Sequence, residues 1–219
     1  METLDSRLLR TTDCFGQRFS RTGSYTYGLS ATPQPCRPFQ DEQFGIEVAG
    51  HESREGEGRQ HDVTVRFESG RFVADPPQLR VSPGDVVLWN APDASTPGFA
   101  VHGEGEHPFS SASLSNECLF SHAFGVAGEY AWKDANGSGL EGRVVVKDLD
   151  LTDPKNCERW TASLEEGVVV VVEGDSTKPS EVEILTGQTV FWAVAKGRGV
   201  TITDERLVLS TPQPPTIER

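Results

Sequence analysis

Histidine and cysteine are the side chains of this 219-residue chain best suited to hold a metal or move electrons, and they are few. His102, His107, Cys118 and His122 fall within one stretch, and such a Cys/His set could take zinc or copper. The GEGEH spacing around His102 and His107 is not specific to any metal site. Cys14, Cys36, Cys118 and Cys157 show no CxxC spacing, so pattern alone gives no zinc site, and a reducing compartment would leave them as buried thiols. An acidic residue precedes both Cys14 and Cys118, which gives the two thiols one place in an internal repeat and favours a structural role for Cys118. The chain has no G-x-S-x-G elbow, no HExxH and no glycine loop that would cradle a phosphate before a helix. The expectation is a protein that is not an enzyme and carries no cofactor. Asn136-Gly137-Ser138 matches a glycosylation sequon but is expected to form a turn.

Acidic side chains outnumber basic ones 33 to 20, a formal net charge of −13. Phosphate backbones need clustered Lys and Arg, so this balance argues against nucleic-acid binding. Two readings of the acidity compete: a hydrated surface suited to a high-salt cytoplasm, or a docking face for a basic partner. Carboxylates spread over the whole chain favour the first. The opening METLDSRLLRTTDCFG lacks the apolar core of a signal peptide, and no run approaches the roughly 20 apolar residues of a membrane span. A cytoplasmic protein without membrane insertion is expected. With 22 Gly and 14 Pro, short strands joined by turns fit better than helices.

Two stretches carry a longer pattern. Val81–Glu104 reads VSPGDVVLWNAPDASTPGFAVHGE, and Phe120–Val146 reads FSHAFGVAGEYAWKDANGSGLEGRVVV. Together they resemble the cupredoxin family, the plastocyanins and halocyanins that carry one copper for electron transfer. Phe124, Gly128, Tyr130, Trp132, Gly139, Gly142, Val144 and Val146 keep the frame of that family's closing motif. The resemblance implies an all-β fold of Greek-key sandwiches and a halophilic, archaeal flavour. It also implies a degenerate copper site. Asp134 stands at the cysteine position, Asn136 (or Gly137) at the histidine, Leu140 at the axial methionine, and Gly98 at the histidine of the other ligand loop. A blue-copper site needs a thiolate and two imidazoles with a weak axial sulfur.

The same motifs recur on both flanks. Phe19, Gly23, Tyr25 and Tyr27 match Phe124, Gly128, Tyr130 and Trp132, so residues 1–49 look like a second half without its first. Pro179, Val182, Ile184 and Gly187–Trp192 match Pro76, Leu79, Val81 and Gly84–Trp89, so residues 160–209 look like a first half without its second. The expected organisation is one complete domain over 61–148 and a second, discontinuous one from 1–49 plus 160–209. Residues 50–60 and 149–159 are then linkers and 210–219 a Pro-rich tail. In that second domain the cysteine position falls at Leu29 and the histidine near Arg198-Gly199; Cys36 lies in the right loop but late. The five-valine run Val168–Val172 is expected to be buried on both faces, and Trp160 to pack between domains. Half a sandwich leaves an apolar face and open edges in water, so the orphans must pair within one chain or between chains. The function expected is a non-enzymatic, copper-free binding or assembly module. The alternatives are a metal or redox protein using the Cys/His set, and a polymer built by exchange of half-domains.

Overall fold

Alternation of apolar and polar side chains writes the strands. In β4 (Gln60–Glu68), Val63 and Val65 are buried while Thr64 between them is partly exposed and Asp62 and Arg66 on either side are exposed, the period of two expected of a half-buried strand. The computed structural model describes residues 3–33, 44–50 and 58–209. They fold as an all-β protein of packed sheets, and among them no helix is long and apolar enough to cross a membrane.

One layer is an eight-stranded sheet. From edge to edge it runs β15 (Ser176–Lys178), β14 (Val168–Glu173), β17 (Thr189–Lys196), β11 (Cys118–Ala123), β1 (Asp13–Arg18), β7 (Val86–Asn90), β4 and β5 (Arg71–Asp75). Two smaller sheets pack on one face of it. The first contains β6 (Gln78–Val81), β3 (Phe44–Val48), β2 (Gly23–Ser30), β8 (Ala100–Glu104) and β9 (Phe109–Ser110). The second contains β16 (Glu181–Leu185), β13 (Glu141–Lys147), β12 (Gly128–Lys133) and β19 (Thr203–Asp204). A short pair, β10 (Leu114–Ser115) with β18 (Arg198–Val200), completes the strands, and helices α1 (Pro154–Leu164) and α2 (Glu205–Leu209) lie outside the sheets.

The two sandwiches meet where β1 pairs antiparallel with β11, Phe15 opposite Phe120. An approximate two-fold runs through that pair, and the cores on either side repeat one another. Phe15 stacks on Trp89 at 5.4 Å and Phe120 on Trp192 at 5.6 Å. Phe19 meets Tyr25 edge-on at 5.0 Å, and Phe124 meets Tyr130 at 4.9 Å. Each tyrosine hydroxyl donates to the carbonyl four residues upstream, Tyr25 to Arg21 (3.0 Å) and Tyr130 to Val126 (2.7 Å). Buried aromatics that also satisfy their polar tips lock the strand corners.

The pairing corrects the expected division into 61–148 and 1–49 plus 160–209. β7 pairs with β1, not β11, and β6 and β8 flank β3 and β2 rather than the β12/β13 pair. β11, β12 and β13 take their partners from β17, β19 and β16. Each sandwich is therefore a second half followed in the chain by a first half, twice over. The repeat identifies halves, but every second half offers the same apolar face and strand edge, so likeness alone does not choose the partner; here the nearest following half wins. The stretches 50–60 and 149–159, expected as linkers between domains, thus connect halves within a sandwich. Of the first, residues 51–57 lie outside the described residues, as do Cys36 and the 210–219 tail.

Two straps cross the junction. Leu4 and Asp5 pair with Asp204 and Thr203 of the second sandwich, and the chain then crosses so that Leu9 pairs with Phe99 of the first. In the opposite sense, Phe109 and Ser110 pair with Gly103 and His102 of the first, and Leu114 with Val200 of the second. Each strap carries a fully buried serine, and Ser6 Oγ and Ser111 Oγ accept from the amides of Ile202 and Val101.

Two more expectations are overturned. Asp153 caps α1 and Pro154 opens it, a helix in what reads as a polar connector. Trp160 on that helix donates from Nε1 to Thr186 O (2.7 Å) and lies against Gly187 of the second sandwich rather than between the two. In β14, Val170 and Val172 are buried, but Val169 and Val171 are 52% and 38% exposed, so the valine run has one open face.

Candidate functional site

The loop that follows β12 begins at Asp134 and turns through Gly137 and Gly139, whose φ of 82° and 83° is the left-handed region glycine tolerates. The segment Gly199–Thr201 faces it. Asp134 Oδ1 accepts from Thr201 N (2.8 Å), Thr201 Oγ1 (3.0 Å) and Asn136 N (3.1 Å), and Oδ2 accepts from Ser138 N (3.0 Å). Asn136 Nδ2 donates to Gly199 O (2.6 Å), and the Asp134 amide donates to the carbonyl of Leu140, which is buried beneath the loop. Burial opposes charge on Asp134, yet the hydrogen bonds from Ser138, Thr201 and Asn136 outweigh it and hold its carboxyl below 3.8. One ionised carboxylate therefore clips two loops together, and both of its oxygens are occupied by protein donors. A cleft of about 450 Å³ opens beside it, with Lys196 and Asp175 on its walls.

Gly98, expected to belong to this site, does not. Its near neighbours are Leu8, Leu9 and Arg10 of the first strap, in the other sandwich, where Leu29 lies opposite Val101. Thr201 stands across from Asp134 instead. The Arg198-Gly199 position expected for the discontinuous domain belongs here, beside Asn136. This exchange follows directly from the changed pairing of the halves.

The Cys/His set is dispersed. His102 sits between the hydroxyls of Ser110 (3.1 Å from Nδ1) and Ser30 (3.2 Å from Nε2), and burial lowers its pKa below 6.5. His107 is exposed and accepts from Arg21 Nη1 at 2.9 Å. Cys118 and His122 share a face of β11 but are four residues apart, about 13 Å along a strand. Among the described residues no three His, Cys, Asp or Glu side chains converge as a metal set would.

What Cys118 and His122 do is close the seam. Asp13, Phe15 and Gln17 of β1 point inward, as do Cys118, Phe120 and His122 of β11. His122 Nδ1–H donates to Asp13 Oδ1 at 2.5 Å, and Cys118 Sγ–H donates to Gln17 Oε1 at 3.0 Å. Desolvation raises the Asp13 carboxyl above 3.8 despite the His122 hydrogen bond, and pushes the Cys118 thiol up to about 11. A protonated, buried thiol is a poor nucleophile and a poor metal ligand. Cys14 is not the counterpart of Cys118: it lies opposite Ser121 on the other face of the sheet, and Asp13 takes the Cys118 place. A one-residue slip in matching reverses the face. Asp13 and Gln17 escape sequence reasoning because each is one polar residue in a strand, with nothing in its neighbours to mark a buried partner.

No protein-family model matches the chain, and no curated protein or solved structure matches it either.

Proposed function

We propose that this chain is a non-enzymatic, copper-free module of cupredoxin type that serves binding or assembly. The observation that carries the reading is Asp134. At the place the motif gives the copper cysteine, a carboxylate with both oxygens hydrogen-bonded joins the two loops a metal would otherwise join. The remaining places hold Asn136 and a buried Leu140, and neither is a donor that a copper-thiolate centre uses. The spread of 33 acidic residues fits a hydrated surface in a high-salt, haloarchaeal cytoplasm.

Titration of the purified protein with Cu(II) and Cu(I), followed by calorimetry and visible absorption, tests the proposal. The expected result is no stoichiometric uptake and no blue charge-transfer band. Tight one-to-one binding with an intense blue colour overturns it.

A further inference from the structure

The outward face of the eight-stranded sheet carries an apolar stretch over its middle strands, where a solvated face would be polar. The smaller sheets cover the other face; on this one Val169 and Val171 are exposed and Leu88, Leu119, Phe191 and Ala193 only partly buried. Cross-strand register places Val171, Ala193, Leu119, Gly16 and Leu88 in one row over five strands. Val169 and Phe191 lie in the next row, leading to Ser121 and Cys14. Gly16 keeps the middle of the row low: a Cβ there would come within 2.7 Å of Leu88 Cδ2. An antiparallel sheet that faces only water alternates apolar-in with polar-out, and a contiguous apolar patch of this kind marks an interaction surface.

Charge identifies the occupant. Five basic side chains point outward from this sheet, Arg18, Arg66, Arg71, Lys178 and Lys196. Four acidic ones do the same, Asp62, Glu68, Asp75 and Glu173. The face is thus close to neutral in a chain whose net charge is −13. Two copies repel one another through the rest of their surfaces, and here they can approach without that cost. Size agrees: eight strands at about 4.8 Å spacing, with outward rows about 17 Å long, give about 600 Å² a copy, and two such faces bury about 1,200 Å², the lower end of specific interfaces.

We infer that the outward face of the eight-stranded sheet is the docking surface for a second copy of this chain, the two sheets stacked face to face. Val169 and Val171 sit in the contact, with Leu119 near its middle. The inference rests on the binding or assembly reading above and names its partner; the copper titration does not depend on it, so either can fail alone.

Sedimentation of the full chain over a wide dilution series is the test. The expected result is a species of twice 23.9 kDa that dissociates on dilution. In Val171→Glu the dissociation constant rises on the order of ten-fold or more, while near-UV circular dichroism is unchanged. Val169→Lys, at the more exposed position, gives the same answer if the first variant folds poorly. Glu183→Lys on the exposed side of β16 leaves the dimer intact. Three results overturn the inference: a wild-type protein of 23.9 kDa at every concentration, a folded Val171→Glu that dimerises as before, or a dimer that appears only after residues 210–219 are removed, which would give the face to the chain's own terminus.

Discussion

Asp13 and His122 face one another across the seam, Oδ1 to Nδ1 2.5 Å, with both side chains almost wholly buried. Four residues along β1, Gln17 faces Cys118 in the same way. The approximate two-fold that superposes Phe15 on Phe120 carries Asp13 onto Cys118 and Gln17 onto His122. One pair of equivalent places is therefore filled twice, once by carboxylate and imidazole and once by thiol and amide.

That equivalence has a consequence for substitution. Asp13→Cys leaves a buried imidazole without its carboxylate and is expected to cost about 3 kcal/mol; His122→Gln replaces the ring N–H by an amide N–H and is expected to cost less. The double variant rebuilds the Gln17–Cys118 arrangement at the other end of the seam and regains part of the loss, with a coupling on the order of 1–3 kcal/mol. A urea-denaturation cycle over the four proteins measures it. Strict additivity would show that the two places are independent.

Asp13 and Asp134 should respond to pH in opposite senses. Desolvation raises the folded-state pKa of Asp13. Its contribution is therefore fully present below 3.8 and is lost as pH rises through the raised value. Asp134 is depressed, with its hydrogen bonds overcoming desolvation, so its contribution is present above about 3.9 and is lost as pH falls through the lower folded value. Relative to wild type, Asp13→Asn is expected to gain stability as pH rises above 3.8, and Asp134→Asn to lose stability as pH rises toward it. Denaturation midpoints of the three proteins across the acid range check both slopes. At neutral pH Asp134→Ala is expected to cost about 3 kcal/mol, since it strands several loop donors.

The motifs legible in the sequence are the ones held by local geometry. Tyr25 and Tyr130 bond back four residues, and Gly84 and Gly187 turn with the same φ of 95°, so each repeat copy announces itself without help from distant chain. Pairing of the halves is a different matter. β1 could dock against either β7 or β17 on pattern alone, because Trp89 and Trp192 present the same ring at the same place. The choice lies in connector length and in the straps, which carry no motif. Asp134 stood out in the sequence only through its place in the motif; its use as a clip was not legible, because Thr201 lies in the half expected to belong elsewhere. The exposure of Val169 and Val171 was hidden for a simpler reason: an unbroken run of valines has no alternation to show which face is wet.

The two tyrosine corners are a matched pair and should behave as one. Tyr25→Phe and Tyr130→Phe each remove one hydroxyl that donates to a carbonyl, at 3.0 and 2.7 Å, and leave the ring contacts with Phe19 and Phe124 in place. Each is expected to cost about 1 kcal/mol, with near-equal values by chemical denaturation. A large inequality would mean that the sandwiches unfold separately and that the measurement reports only the weaker one.

Gly84 and Gly187 separate backbone strain from packing. Both have φ of 95°, so an alanine at either is strained to the extent of about 1–2 kcal/mol. At Gly84 nothing lies within 4 Å of the added Cβ, whereas at Gly187 Leu164 Cδ2 of α1 would stand 2.7 Å away. Gly187→Ala must turn the Leu164 side chain aside, disturbing α1 where Trp160 bonds Thr186 O and Gln188 Nε2 bonds Ser163 O and Glu166 O. It is expected to cost up to about 1 kcal/mol more than Gly84→Ala and to shift Trp160 fluorescence, which Gly84→Ala leaves unchanged. Equal costs with no change in fluorescence would show that α1 yields freely and contributes nothing to holding the turn.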